Sequence, residues 1–150
     1  MPVKDKEYDA LLALLRGRSD EHGRLLDELD PAEQARGYGA LVSAALLEMA
    51  EKRFIRNGKY VPGSEVVAYV AHARSMSDAF ADEVDPRIAE RVLFCALDQG
   101  DLDDIDARVI FETQLWLLVA LVRDEQFASD AELESLLNEA RQLADDVMEM

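Results

Sequence analysis

The sequence predicts an all-α fold, a single-domain bundle of six or seven helices with mostly antiparallel neighbours. Apolar residues recur at helical spacing along most of the chain, and the alternating pattern of strands is nearly absent. The length of 150 residues is that of one ordinary domain. Only 7 Gly and 4 Pro interrupt the chain, which argues against low complexity. Residues 1–150 are therefore interpreted as one helical domain.

The first three helices are predicted from apolar spacing and from residues that start or stop a helix. Residues 5–15 form the first helix, and Ser19 begins a shorter second one beyond Gly17. The sequence Asp-Pro-Ala-Glu at 30–33 places Asp at the N-cap, Pro at N1 and Glu at N3 of the third. That helix is predicted to run to about Asn57. Gly37 and Gly39 weaken its first turns by about 1 kcal/mol each, which suggests close packing or a kink.

The second half of the chain begins with its clearest loop, NGKYVPG at 57–63, where at most a short β-ribbon is expected near residues 58–62. Ser64 is predicted to cap a helix that runs to about Asp82. The Asp-Pro pair at 85–86 starts the next helix, and Gly100 ends it. Residues 104–127 form the most apolar helix. The last helix starts with a capping box at residues 129–132 and repeats Leu and Ala in steps of three and four.

Composition excludes several classes of protein. Cys95 is the only cysteine, so no intrachain disulfide forms, and the residue is predicted to be a buried small hydrophobe. The N-terminal residues lack the features of a signal peptide, and a cytoplasmic location is expected. The longest apolar run, from Leu115 to Val122, has eight residues, whereas a membrane span needs about 18 or more.

A run of five aspartates is the most conspicuous candidate site: Asp98, Asp101, Asp103, Asp104 and Asp106. An EF-hand loop that began at Asp101 would have Glu112 at its twelfth position, but Ile105 occupies the fifth position and Asp106 the glycine position. Aspartate is favoured at helix N-caps and in first turns. The run is therefore predicted to be helix-terminal and to bind no divalent ion tightly. No metal, cofactor or catalytic residue is assigned.

One enzymatic alternative remains open. Glu48 and Glu51, with Asp82 and Asp85, partly match the paired acidic motifs of helical Mg²⁺-dependent nucleotide pyrophosphohydrolases of the MazG-like family. The second pair begins with Asp instead of Glu, and Pro86 indicates that Asp85 caps a helix. The two histidines, His22 and His72, belong to no Glu-x-x-His pair of the kind that helical di-metal sites use.

Charge is distributed unevenly along the chain. Against 32 acidic residues there are 16 basic ones, a net charge of −16, and residues 78–150 alone carry 20 acids and 5 bases. A small basic cluster stands apart from this excess: Lys52, Arg53, Arg56 and Lys59. The acidic residues keep the chain soluble, or they form a surface that attracts a basic protein. Direct DNA binding by the acidic half is disfavoured because phosphates would repel it.

These observations favour a non-enzymatic interaction or regulatory module. The five aspartates and the basic cluster are its candidate partner surface. The alternatives are an inhibitor, immunity protein or DNA mimic that binds a basic partner, and the MazG-like hydrolase. Trp116 is expected in the core, and a monomer is favoured over a homodimer because six or seven helices can enclose one apolar helix.

A resemblance extends over most of the chain. It rests on the segments GYGALVSAALLEMAEKRF, EVVAYVAHAR, DPRIAERVLFCALDQGDLDD and LVALVRDEQFASDAELESLL. Together these resemble small acidic all-helical proteins of uncharacterised function from high-GC actinobacteria. The resemblance implies a bacterial, all-helical protein, and it assigns no catalytic or binding residue.

Overall fold

Helices account for most of the chain in the computed structural model, which describes residues 3–148 apart from the side chains of residues 33–35. The elements in chain order are α1 (Asp5–Leu15), α2 (Ser19–Asp27), α3 (Pro31–Glu33), a π-helical turn (Gln34–Tyr38), α4 (Gly39–Phe54), β1 (Ile55–Arg56), β2 (Lys59–Tyr60), α5 (Gly63–Met76), α6 (Asp78–Glu83), α7 (Pro86–Ala96), α8 (Ala107–Glu125) and α9 (Asp130–Met148). The predicted all-α fold is confirmed.

The core is organised around α4, which packs against both α8 and α9. Leu41 of α4, Leu117 and Leu118 of α8 and Leu137 of α9 are completely buried. Around this centre α1 packs on α2, and α7 packs on both α5 and α8. The apolar stripes predicted for these helices therefore face one another, and the burial of their side chains is the main stabilising contribution to the fold.

A two-residue turn joins β1 and β2 into a small antiparallel hairpin. Ile55 pairs with Tyr60 and Arg56 with Lys59, while Asn57 and Gly58 have φ angles of 54° and 77°. An Asn-Gly pair accepts this left-handed conformation at little cost and is typical of tight hairpins. The ribbon expected near this loop is confirmed, although α4 ends at Phe54 and not near Asn57.

The helix predicted from Ser64 to Asp82 is wrong in two respects. Ser77 is extended, and its Oγ accepts a hydrogen bond from the Phe80 amide at 3.2 Å, so it ends α5 and caps α6. At the other end α5 starts at Gly63 with Pro62 at the N-cap and no side-chain cap. The break adds one short helix to the number that the sequence predicts.

The starts of α7 and α9 lie where the sequence predicts them, whereas α8 begins at Ala107 and not at residue 104. Asp85 caps α7, its Oδ1 accepting from the amide of Arg87 at 2.8 Å, and Pro86 is the first helical residue. Before α9, Ser129 Oγ accepts from the Glu132 amide at 3.3 Å. The Glu132 carboxylate in turn accepts from the Ala128 amide at 3.0 Å. Both caps satisfy amides that a helix N-terminus leaves without a helical partner.

The glycine at position 37 lies in the π-helical turn, where Glu7 of α1 approaches the backbone. A Cβ atom on Gly37 would lie only 1.9 Å from Glu7 Oε2. Glu7 is 1% exposed, and its Oε1 accepts a hydrogen bond from the Lys4 amide at 2.9 Å. Close packing and a departure from regular α-helix therefore both account for a glycine at this point of the helix.

Polar contacts tie the start of the described chain to α9. Arg141 Nη2 donates to the Val3 carbonyl oxygen at 2.6 Å and to Asp5 Oδ1 at 2.9 Å. The Val3 amide donates to Asp145 Oδ1 at 2.6 Å. Val3 itself is 1% exposed, so this junction belongs to the packed part of the molecule.

Two residues expected in the core are less buried than predicted. Trp116 is half-buried and meets Phe80 edge to face, with ring centroids 6.1 Å apart. Cys95 is also half-buried, near the end of α7. Among residues 3–148, no helix is long and apolar enough to cross a membrane.

Candidate functional site

The acidic loop, residues 97–106, joins α7 to α8 and exposes all five of its aspartates. Arg91 of α7 donates two hydrogen bonds to the Asp104 carboxylate, at 2.5 and 3.0 Å. The same guanidinium donates to the Asp101 carbonyl oxygen at 3.1 Å. The hydrogen bonds from Arg91 hold the pKa of the Asp104 carboxyl below its usual value. One arginine thus fixes the loop against α7.

The remaining aspartates of the acidic loop differ in their roles. Asp106 is the N-cap of α8 and accepts from the Arg108 amide at 2.8 Å. Asp98 follows α7 with a left-handed φ of 60°. Asp101 Oδ1 accepts from the Asp103 amide at 3.3 Å. Asp98 and Asp106 are therefore at helix ends, as predicted, whereas Asp101, Asp103 and Asp104 lie within the loop. In the described part of the chain, Asp98 and Asp103 make no ion pair.

Lys52, Arg53 and Arg56 of the basic cluster make contacts with two different helices, and Lys59 is exposed on β2. Lys52 Nζ lies 3.5 Å from Glu125 Oε1 at the end of α8. Arg56 Nη1 lies 3.2 Å from Glu65 Oε1 of α5, and Arg53 lies over the Tyr69 ring, 5.0 Å from its centroid. The cluster predicted from adjacent residues is thus two small sites, and no ion pair among the described residues joins either one to the acidic loop.

A polar network at the junction of α5 and α8 was not predicted from the sequence. The buried Tyr69 hydroxyl donates to Asp124 Oδ2 at 3.0 Å. His72 Nε2 lies 3.6 Å from the same oxygen, and Arg123 Nε lies 3.6 Å from Oδ1. Burial, followed by the charge of Asp124, raises the pKa of Tyr69. Tyr and His three residues apart on one helix were a visible signal, but Asp124 lies 55 residues away.

A cleft of about 650 Å³ is lined mainly by α8, including Phe111 and Leu115, and also by Leu26 of α2. Tyr38 forms part of its wall and packs edge to face on Phe111 at 5.8 Å. The Tyr38 hydroxyl lies 2.8 Å from His22 Nε2. Burial raises the pKa of Tyr38 and lowers that of His22, so burial favours the neutral form of both groups in this hydrogen bond.

The acidic pairs that suggested a nucleotide hydrolase are used differently. Glu48 and Glu51 of α4 lie in a cleft with Glu139 of α9. Asp85 instead serves as the N-cap of α7, as the sequence indicated. Among the described residues, no group of three or more His, Cys, Asp or Glu is arranged to hold a metal ion.

The glutamate cluster, formed by Glu48, Glu51 and Glu139, makes the stability of the fold depend on pH. Burial, and then Glu51 and Glu139, raise the pKa of Glu48. A carboxyl group whose pKa is higher in the folded than in the unfolded state stabilises the fold at pH values below its unfolded-state pKa. This contribution is lost as the pH rises through the folded-state pKa. We therefore expect Glu48→Gln to stabilise the protein at neutral pH, by less than about 1 kcal/mol because the group is largely solvated. Urea unfolding at neutral pH and near pH 3 measures this.

The matched control for Glu48→Gln is Glu83→Gln, at an exposed position on α6. It makes the same change in net charge away from the cluster. Equal stabilisation by both variants at neutral pH would show that relief of overall negative charge, and not the Glu48 environment, is responsible.

The described side chains thus present three distinct features: the pinned acidic loop, the network around Asp124 and the apolar cleft beside Tyr38. Each combines residues from at least two structural elements. Comparisons of the chain with family models, curated proteins and solved structures found no match.

Proposed function

We propose that this chain is a non-enzymatic interaction module that binds a basic protein partner through its acidic loop. The observation that carries the proposal is the way in which Arg91 holds the loop. Its guanidinium bonds to Asp104 and to the backbone of Asp101, and the Asp106 cap fixes the other end. A loop whose backbone is already held loses little conformational freedom on binding.

The charges on this loop are suited to a basic partner. Asp98 and Asp103 are exposed, and among the described residues neither makes an ion pair. A Lys or Arg of the partner can therefore bind Asp98 or Asp103 without displacing an existing ion pair. The net charge of −16 adds a long-range attraction, which raises the association rate with a basic protein and weakens as salt is added.

An arginine-rich peptide offers a direct test. We expect the chain to bind it in a salt-sensitive way, and Asp98→Asn with Asp103→Asn to weaken binding by roughly two- to tenfold, the size expected for two exposed ion pairs. The matched control is Asp20→Asn with Asp27→Asn, which changes two exposed aspartates of α2. Fluorescence anisotropy at two salt concentrations measures the affinities.

The control decides the interpretation because both double variants lose the same charge. An effect confined to the loop variant supports the acidic loop as the binding surface. Equal weakening by the α2 variant would mean that the peptide responds only to overall charge, and the proposal would be wrong.

A further inference from the structure

A small cleft of about 240 Å³ lies between the end of α4, the hairpin and α5. Its charged lining consists of Arg53, Arg56, His72 and Glu65. Two permanent cations and a histidine of this lining face one carboxylate, and beside the cleft Asp124 lies 3.6 Å from both His72 Nε2 and Arg123 Nε. The chain as a whole has a net charge of −16. Such a local excess of positive charge runs against the composition of the molecule as a whole.

Arg53 is held in this cleft by an aromatic ring. Its guanidinium lies over the Tyr69 ring, 5.0 Å from the ring centroid, a cation–π contact that stabilises this position of the group. Tyr69 is itself fixed, because its hydroxyl donates to Asp124 at 3.0 Å. Within the described residues, no carboxylate or carbonyl oxygen accepts a hydrogen bond from Arg53. Its N–H groups remain available to a ligand.

The other two basic groups lie beside Arg53 on separate elements. His72 packs against the same tyrosine, with ring centroids 6.2 Å apart, and its side chain is 48% exposed. Arg56 comes from the hairpin and lies 3.2 Å from Glu65 Oε1. The Glu65 carboxylate therefore occupies a position beside Arg56 for which an anionic ligand would compete.

We propose that this cleft binds a phosphate-type oxyanion, either free or as the phosphoryl group of a larger ligand. Arg53 and Arg56 are its donors, and His72 lines the cleft beside them. Planar guanidinium groups bind such anions through paired hydrogen bonds. The volume of about 240 Å³ is below the range of roughly 300–1,000 Å³ typical of clefts for drug-sized ligands, which suits a compact anionic group.

Titration with inorganic phosphate at constant ionic strength, followed by NMR of the arginine side chains, tests the site. We expect saturable shifts of Arg53 and Arg56, and a loss of affinity of roughly tenfold or more in Arg53→Gln, as for a lost charge-assisted hydrogen bond. Arg87→Gln is the matched control because Arg87 is exposed on α7 and does not line the cleft. It should leave the affinity unchanged.

Two further variants make the outcome specific. The Arg56 side chain is 65% exposed, so Arg56→Gln should fold even where Arg53→Gln does not, and it should also weaken binding. Glu65→Gln removes the competing carboxylate and should tighten phosphate binding several-fold. O-phosphoserine is the second ligand: tighter binding than phosphate assigns the site to phosphoryl esters, and equal binding assigns it to free phosphate.

The proposal is overturned if phosphate produces no saturable shifts in the native protein. It is also overturned if Arg53→Gln and Arg56→Gln bind phosphate as tightly as Arg87→Gln, or if Glu65→Gln weakens binding.

Discussion

Replacing Tyr38 by alanine is expected to lower the free energy of unfolding by about 3 to 5 kcal/mol. Tyr38 is 1% exposed, and its ring packs edge to face on Phe111 at 5.8 Å. Removing the ring leaves a cavity at the start of α4, beside α8, and deprives His22 of its hydroxyl partner. Urea unfolding followed by circular dichroism measures the change.

The control for this substitution is Tyr38→Phe, which keeps the ring and removes only the hydroxyl. We expect it to cost about 1 kcal/mol, because His22 is only half-buried and water can replace the lost hydrogen bond. Similar losses for the alanine and phenylalanine variants would contradict this account, since they would place the stabilisation in the hydroxyl group and not in ring packing.

Substituting alanine for Gly37 is expected to destabilise the protein by about 2 to 4 kcal/mol, from overpacking together with disturbance of a buried carboxylate. The new Cβ would lie 1.9 Å from Glu7 Oε2, which is far inside contact distance. Glu7 is 1% exposed and holds the Lys4 amide, so its carboxylate cannot move aside freely. Thermal and urea unfolding both report the change.

Gly23 provides the matched comparison because it lies within α2, and a Cβ there would meet nothing within 4 Å. Gly23→Ala should therefore stabilise by about 0.5 to 1 kcal/mol, through helix propensity alone. A second comparison introduces Gly37→Ala into the Glu7→Ala variant. There it should lower the free energy of unfolding by less, because the obstructing carboxylate is gone. An unchanged cost in that background would show that the clash with Glu7 is not the cause.

Helix positions were largely predictable from the sequence because caps and apolar spacing are local signals. The Asp85 cap, the capping box before α9 and the Asn-Gly hairpin all depend on neighbouring residues. The break at Ser77 is also local, but the apolar spacing continues through it and conceals the cap. The π-helical turn at 34–38 had only Gly37 and the adjacent Gly39 as a signal, because the approach of Glu7 is a tertiary contact.

The candidate sites were predictable to a smaller extent. Five aspartates within nine positions identify the acidic loop, but its attachment through Arg91 requires that α7 and the loop pack together. The basic cluster shows the opposite limitation, since Lys52 and Arg53 are adjacent in sequence and yet contact Glu125 and Tyr69 on different helices. Contacts between distant helices decide which charges are paired, and a single sequence does not contain them.

The junction between the start of the chain and α9 has a consequence for the order of folding. Its hydrogen bonds join residues 138 and 142 positions apart, and closing a loop of that length costs about 4 kcal/mol in chain entropy. The contact of α1 with α2 closes a far shorter loop. The α1–α2 pair can therefore form early, whereas its attachment through Arg141 becomes favourable only once α4, α8 and α9 have assembled.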